Sequence, residues 1–143
     1  MGIWIKRSKI MGSCYYVKLK VKLKDEAKAI KALQDKISRA DKEHVYYGFQ
    51  TCLKNKNYDL NVFDDLVRVF LAEHQNDFTI EHTKKGFTRY TSGFDASYGW
   101  ESVMIEMFEE IAPYLENKSK LYIDCDDGWD KFVITDGKSY QIH

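Results

Sequence analysis

Apolar and polar residues alternate over ten positions near the start of the chain, and this period of two predicts a β-strand. The apolar positions are Tyr15, Val17, Leu19, Val21 and Leu23, and between them lie Tyr16, Lys18, Lys20, Lys22 and Lys24. One face of the strand must meet a core, whereas the other must meet water or an acidic ligand. The sheet is therefore expected to be covered on one side only.

Helical spacing of apolar residues follows in three places. The first helix is predicted over residues 25–40, the second from Asp59 or Asn61 to about Gln75, and the third from a cap at Ser97 to the neighbourhood of Pro113, which lacks a backbone donor. The stripe predicted to be buried in the first helix is Ala27, Ile30, Leu33, Ile37 and Ala40.

Short β-prone segments occupy the rest of the chain. A glycine-containing turn separates residues 78–83 from 87–92, and Asp136-Gly137 joins the last two strands of a meander over residues 121–143. The order strand, helix, helix, hairpin, helix, meander predicts an α+β fold, an antiparallel β-sheet with about three α-helices packed on one face. An elaborated ferredoxin-like sandwich is the nearest common architecture, with residues 1–13 as a flexible extension and residues 14–143 as a single α+β domain.

Composition limits the classes of function. A length of 143 residues excludes a multidomain enzyme, and an even balance of 22 basic and 22 acidic residues argues against disorder. Lys6, Arg7 and Lys9 interrupt the N-terminal segment, so neither a secretory signal nor a membrane association is expected, and the protein is predicted to be cytoplasmic. Three cysteines without CxxC spacing indicate reduced thiols.

The neutral total conceals a strong charge asymmetry. Residues 1–58 carry 14 basic and 5 acidic side chains, whereas residues 59–143 carry 8 basic and 17 acidic ones. Lys18, Lys20, Lys22 and Lys24 repeat every ~7 Å along a strand headed by Tyr16, which suits a single-stranded nucleic acid. Lysines on an exposed strand also prevent edge-to-edge aggregation, so two interpretations of this strand are open.

An acidic, aromatic segment near the C-terminus is the other candidate surface. Trp129 lies in a predicted polar turn where a core residue is not expected, and exposed tryptophans often anchor protein interfaces. The leading hypothesis is a small non-catalytic binding protein, such as a regulator, an immunity-type protein or an inhibitor, that engages a partner protein with a basic surface. The predicted contact residues are Tyr122, Asp124, Asp126, Asp127, Trp129 and Asp130.

Signatures of catalysis are missing from the sequence. It contains no G-x-S-x-G, G-x-x-x-x-G-K, G-x-G-x-x-G or H-E-x-x-H motif, and an EF-hand register would place isoleucines at two ligand positions. No cofactor and no metal site are predicted. A metal-dependent hydrolase built on His74, His82, Asp124 and Asp126 is the distant alternative to the two binding hypotheses.

Overall fold

One antiparallel sheet with helices on one side organises the fold. The computed structural model describes residues 13–42, 57–71, 77–96, 99–125 and 128–143. Its strands are β1 (Ser13–Val21), β2 (Asp77–His82), β3 (Thr88–Ala96), β4 (Lys120–Cys125), β5 (Gly128–Thr135) and β6 (Lys138–Ile142). Its helices are α1 (Glu26–Lys42), α2 (Phe63–Phe70) and α3 (Trp100–Ile111), and a 3₁₀ turn follows α3 at Ala112–Tyr114.

The strands lie in the order β2-β3-β1-β4-β5-β6, and every neighbouring pair is antiparallel. The predicted α+β fold and its order of elements are thus confirmed. Through β4, the crossovers and the order β2-β3-β1-β4 are compatible with the elaborated ferredoxin-like sandwich considered from the sequence. The strand β1, at the start of the chain, occupies the interior of the sheet.

The helices cover one face of the sheet, where the core lies. The apolar residues of β1 alternate into this core as predicted, since Tyr15, Val17, Leu19 and Val21 are at most 2% exposed. Three of the five positions predicted for the α1 stripe are buried and Ile30 is half-buried, but Ala27 is exposed. Ala29 is buried in place of Ala27, so the buried stripe of α1 differs from the predicted one at the N-terminal end of the helix.

Hydrogen bonds fix the helical layer to the sheet and join two of its helices. The Tyr90 hydroxyl of β3 donates to Asp64 Oδ1 of α2 at 2.5 Å, and the buried Ser92 hydroxyl donates to the Leu71 carbonyl at 2.8 Å. The indole N–H of Trp100, the first residue of α3, donates to the Phe70 carbonyl at 3.0 Å. Burial and the Asp64 bond both raise the pKa of Tyr90 above its ordinary value.

Element ends agree with several local signals. Asp136 and Gly137 have φ of 50° and 78°, the left-handed pair that a two-residue turn between β5 and β6 requires. The α-helix α3 stops before Pro113, as that residue predicted. Ser13, the last residue of the predicted extension over 1–13, begins β1, whereas residues 1–12 and the Ser97 cap lie outside the described residues. The second helix, expected to reach about Gln75, ends at Phe70, with Leu71 as its C-cap.

Among the helices that the structure describes, none is long and apolar enough to span a bilayer.

Candidate functional site on the open face of the sheet

The face of the sheet opposite the helices, here the open face, carries side chains that the strand register places in rows. Arg89 of β3, Lys20 of β1 and Lys120 of β4 lie opposite one another on three adjacent strands and form the basic row. Like charges at directly opposed positions of antiparallel strands destabilise a sheet. The basic row therefore has a cost in stability that a bound anion would relieve.

Two further rows continue the site along the strands. Lys18, Tyr122 and Lys131 oppose one another in the next row, and Tyr16, Asp124 and Trp129 do so in the row after that. Each row is two residues from the previous one, or about 7 Å along the strand. Cationic side chains thus dominate one end of the open face, and aromatic side chains the other.

Large aromatic surfaces are accessible at the second end. Trp129 is 54% exposed and Tyr16 is 44% exposed. The rings of Tyr122 and Trp129 stack with centroids 6.1 Å apart and an interplanar angle of 27°, and the Lys18 ammonium lies 5.6 Å from the centroid of the Tyr16 ring. These rings offer flat faces to a planar ligand beside positive charges.

The three rows enclose a depression of about 350 Å³, here the central depression. Its lining comprises five cations, two tyrosines and a single carboxylate. These residues are Tyr16, Lys18, Lys20, Arg89, Lys120, Tyr122, Asp124 and Lys131.

The lysines of the central depression are not neutralised by neighbouring carboxylates. Within the described ranges, Lys18, Lys20, Lys120 and Lys131 form no ion pair within 4.0 Å. Arg89 differs, because its guanidinium lies 2.6 Å from Glu81 Oε1 on β2. Four positive charges on this surface are therefore available to an external anion.

A second depression of about 480 Å³, here the end depression, adjoins the first and shares Lys20 and Lys120 with it. It lies where β1 ends and where the β2–β3 turn approaches. Its remaining lining residues are Lys22, Lys85, Phe87, Glu116, Asn117 and Lys118.

Ion pairs between α1 and α3 neutralise part of the positive charge of the N-terminal half of the chain. Lys36 of α1 lies 3.0 Å from Glu106 of α3, and Arg39 pairs with Glu110 one turn further along. The helix α3 carries four glutamates and no basic residue. Lys36 and Arg39 of α1 are thus paired with α3, whereas Lys18 and Lys20 of β1, on the opposite side of the sheet, have no ion pair with any residue that the structure describes.

The position of β1 bears on the edge-protection interpretation of its lysines. β1 is paired on both sides, with β3 and β4, and is the third of six strands. Lysines protect a sheet from aggregation at its edges, where backbone groups are unpaired. Lys18 and Lys20 therefore have no edge to protect. Lys22 follows directly after the end of β1 and Lys24 lies at the bend before α1, so two of the four predicted lysines lie within the strand.

The predicted acidic, aromatic contact surface is only partly assembled. Tyr122, Asp124 and Trp129 lie together on the open face. Asp130 alternates to the opposite face, where its Oδ1 accepts a hydrogen bond from Gln141 Nε2 at 3.0 Å. Asp126 and Asp127 lie outside the described residues. Tyr122 and Trp129 thus share the open face with the basic row, whereas Asp130 lies on the other face.

The groups proposed for a metal-dependent hydrolase do not converge where the structure describes them. His82 alternates to the helix side of β2, with its Nδ1 3.2 Å from Thr88 Oγ1, whereas Asp124 lies on the open face of β4. β3 and β1 separate these strands, and His74 and Asp126 lie outside the described ranges. Within those ranges no group of three or more His, Cys, Asp or Glu residues is placed to hold a metal ion.

Sequence reasoning identified Tyr16, Lys18, Lys20 and Lys22 but missed the other basic members of the site. Arg89 belongs to a β-prone segment of mixed charge, and Lys120 and Lys131 flank the meander strands. The local pattern around each of them shows no more than an exposed strand position. The long-range pairing of β1 with β3 and with β4 brings Arg89 and Lys120 to Lys20, and the pairing of β4 with β5 adds Lys131.

Comparisons of the chain with protein-family models, with curated proteins and with solved structures gave no match.

Proposed function

We propose that the open face binds single-stranded nucleic acid. The observation that carries the proposal is the basic row, in which Lys20 lies between Arg89 and Lys120. The exposed rings of Tyr16 and Trp129 lie two rows away on the same face. Proteins that bind single strands without strong sequence preference combine a basic groove for phosphates with aromatic side chains on which bases stack. Both elements lie on one surface here.

In this proposal the side chains of the central depression and the neighbouring Trp129 divide the recognition between them. Lys18, Lys20 and Lys120 neutralise phosphates and release counterions, which supplies most of the affinity. Tyr122 and Trp129 stack on unpaired bases, and each such contact is worth about 1–3 kcal/mol. The bases of a duplex cannot make this contact, because their faces are covered by the neighbouring base pairs. A preference for single strands over duplexes therefore follows.

Charge reversal tests the proposal against a matched control. Lys20→Glu with Lys120→Glu changes the net charge by the same amount as Lys28→Glu with Lys31→Glu, which alters exposed lysines of α1 on the other side of the molecule. Fluorescence anisotropy with a labelled oligothymidylate measures the affinity at low and at physiological salt. The sheet pair is expected to abolish binding, and the helix pair to change the Kd by less than about threefold, because exposed charges more than a Debye length away are screened.

Two results would overturn the proposal. The first is the absence of oligonucleotide binding by the wild-type protein even at low salt, where counterion release is strongest. The second is equal binding of inorganic polyphosphate and oligonucleotide, with no loss of affinity in Tyr122→Leu or Trp129→Leu. That result would show a site for polyanions in general, without base stacking.

A second candidate function, a protein partner at the β5–β6 end of the open face, is favoured by the exposure of Trp129. Tyr140 and Ile142 on the same side of β6 are 51% and 39% exposed, which extends the apolar surface. In this case Trp129→Ala is expected to weaken the partner complex by at least about 1–2 kcal/mol while Lys20→Glu leaves it unchanged. An affinity purification with these variants distinguishes the two functions, because the nucleic-acid proposal predicts sensitivity to Lys20→Glu.

A further inference from the structure

The two depressions of the open face form one path, and the residues along that path repeat at a constant interval. Tyr16, Lys18 and Lys20 mark three successive rows, and Lys22 marks a fourth at the end of β1. Four rows separated by about 7 Å span about 20 Å. Lys20 and Lys120 belong to the lining of both depressions, so the two adjoin at these side chains.

An aromatic ring lies at each end of this path. Tyr122 and Trp129 stack at one end, and Phe87 lines the end depression at the other. The ammonium groups of Lys20 and Lys22 lie 5.2 Å and 6.0 Å from the centroid of the Phe87 ring. The arrangement at the first end, rings beside lysines, therefore recurs at the second.

The β2–β3 turn holds Phe87 in place before any ligand binds. The backbone N–H of Thr83 donates to the Phe87 carbonyl at 2.8 Å, and the backbone N–H of Phe87 donates to the Thr83 hydroxyl at 3.2 Å. Lys22 Nζ donates to the Lys85 carbonyl at 3.3 Å, which directs that ammonium toward the same turn. A backbone that is already ordered pays little conformational entropy when a base stacks on its side chain.

We infer that a single strand bound to the open face runs along β1 through both depressions, with bases stacked at the Trp129 end and at Phe87. This inference rests on the proposed function and specifies its ligand. Four rows at the ~7 Å interval correspond to a footprint of about four nucleotides, the lower end of the site sizes known for single-strand binders. Glu116 is the single carboxylate among the residues that line the end depression, which also include five lysines.

A length series tests the path. The affinity of oligothymidylates, from a dinucleotide to a dodecanucleotide, is measured for the wild type, for Phe87→Leu and for Lys118→Asn. The leucine keeps apolar bulk without the ring, and asparagine tolerates the φ of 76° at position 118 while removing the charge. Tyr122→Leu serves as the matched variant in the central depression.

The wild-type affinity is expected to rise up to about four nucleotides, and Phe87→Leu is expected to lose at least about fivefold for the longer oligonucleotides. Lys118→Asn is expected to lower the affinity for the same longer oligonucleotides and to reduce the salt dependence of their binding. If Phe87→Leu and Lys118→Asn bind every length as tightly as the wild type while Tyr122→Leu binds more weakly, the strand is confined to the central depression. That result would overturn this inference and leave the proposed function standing. An absence of binding at all lengths would overturn the proposed function as well. Circular dichroism confirms that each variant is folded.

Discussion

Lys20 of β1 and Lys120 of β4 lie directly opposite each other on adjacent strands in the interior of the sheet. Arg89 occupies the same position on the other neighbouring strand, so Lys20 has a cation on each side, of which Lys120 is unpaired among the described residues and Arg89 is paired with Glu81. Water and salt screen this repulsion in the free protein but do not remove it. The arrangement is unfavourable for the sheet alone and favourable for an anion that contacts all three side chains.

Replacing Lys20, the central cation of the basic row, is therefore expected to stabilise the protein and to lower its affinity for the nucleic acid. Lys20→Thr removes the repulsion and introduces a residue with a higher strand propensity, so we expect the free energy of unfolding to rise by about 0.5–1 kcal/mol. Urea unfolding at low salt measures it, and oligonucleotide affinity is measured in parallel.

Lys138→Thr is the control for this prediction, because Lys138 of β6 lies opposite the uncharged Thr135. Its effect on stability is expected to be smaller than that of Lys20→Thr and insensitive to salt. If the two variants have the same stability at low salt, the basic row carries no repulsion and the argument from its cost is wrong.

The two tryptophans described by the structure are expected to respond in opposite ways to truncation. Trp129→Ala should change the free energy of unfolding by less than about 1 kcal/mol, because the side chain is 54% exposed. Trp100→Ala should cost about 3–5 kcal/mol, since Trp100 packs against the core and bonds to the Phe70 carbonyl. Thermal or urea unfolding checks both. Comparable losses would mean that Trp129 belongs to the core.

Much of the fold was accessible from the sequence because its signals are local. The alternation through Tyr15, Val17 and Leu19 identified both faces of β1, and Asp136-Gly137 identified the last turn from the backbone angles that it favours. The sequence also showed that one face of the sheet would be uncovered. Ala27 was misplaced because an alanine contributes little hydrophobicity, so the stripe of α1 was poorly defined at its first turn.

The site itself depends on long-range pairing that no local pattern encodes. Whether Lys20 faces an acidic or a basic neighbour is decided by its register against Arg89 and Lys120, which lie far along the chain. A shift of either register by one residue would place the neighbouring side chain on the opposite face. Sequence reasoning therefore identified one strand of the site and treated Tyr122 and Trp129 as part of a separate acidic surface.

Alkaline pH is expected to destabilise the protein through Tyr90. Because burial and Asp64 raise the pKa of Tyr90, the unfolded chain loses this phenol proton near pH ~10 while the folded protein keeps it. The stabilising contribution is fully present below about pH 10 and is lost as the pH rises further, at up to ~1.4 kcal/mol per pH unit.

Tyr90→Phe isolates this effect from the titration of the lysines, which both proteins share. The variant is expected to be less stable near neutral pH, because Asp64 loses its hydrogen-bond donor. Above about pH 10 its free energy of unfolding should fall less steeply than that of the wild type. Parallel curves in urea unfolding across that range would show that Tyr90 ionises equally in both states.

Stacking at Trp129 should be visible in fluorescence. A base that stacks on the exposed indole is expected to quench its emission during an oligonucleotide titration. Trp129→Phe keeps an aromatic face, so this variant should bind with an affinity within about fivefold of the wild type while losing most of the quenching. Undiminished quenching in Trp129→Phe would place the responding tryptophan elsewhere.

A titration followed by two-dimensional NMR tests the central claim most directly, because it reports the bound surface residue by residue. Adding an oligothymidylate to ¹⁵N-labelled protein is expected to shift the amide signals around Lys18, Lys20 and Lys120, and the side-chain indole signal of Trp129. The signals of α1 and α3, on the covered side of the sheet, should remain in place. Shifts concentrated on the helices, or no shifts at a saturating concentration and low salt, would contradict the assignment of the open face as a nucleic-acid-binding surface.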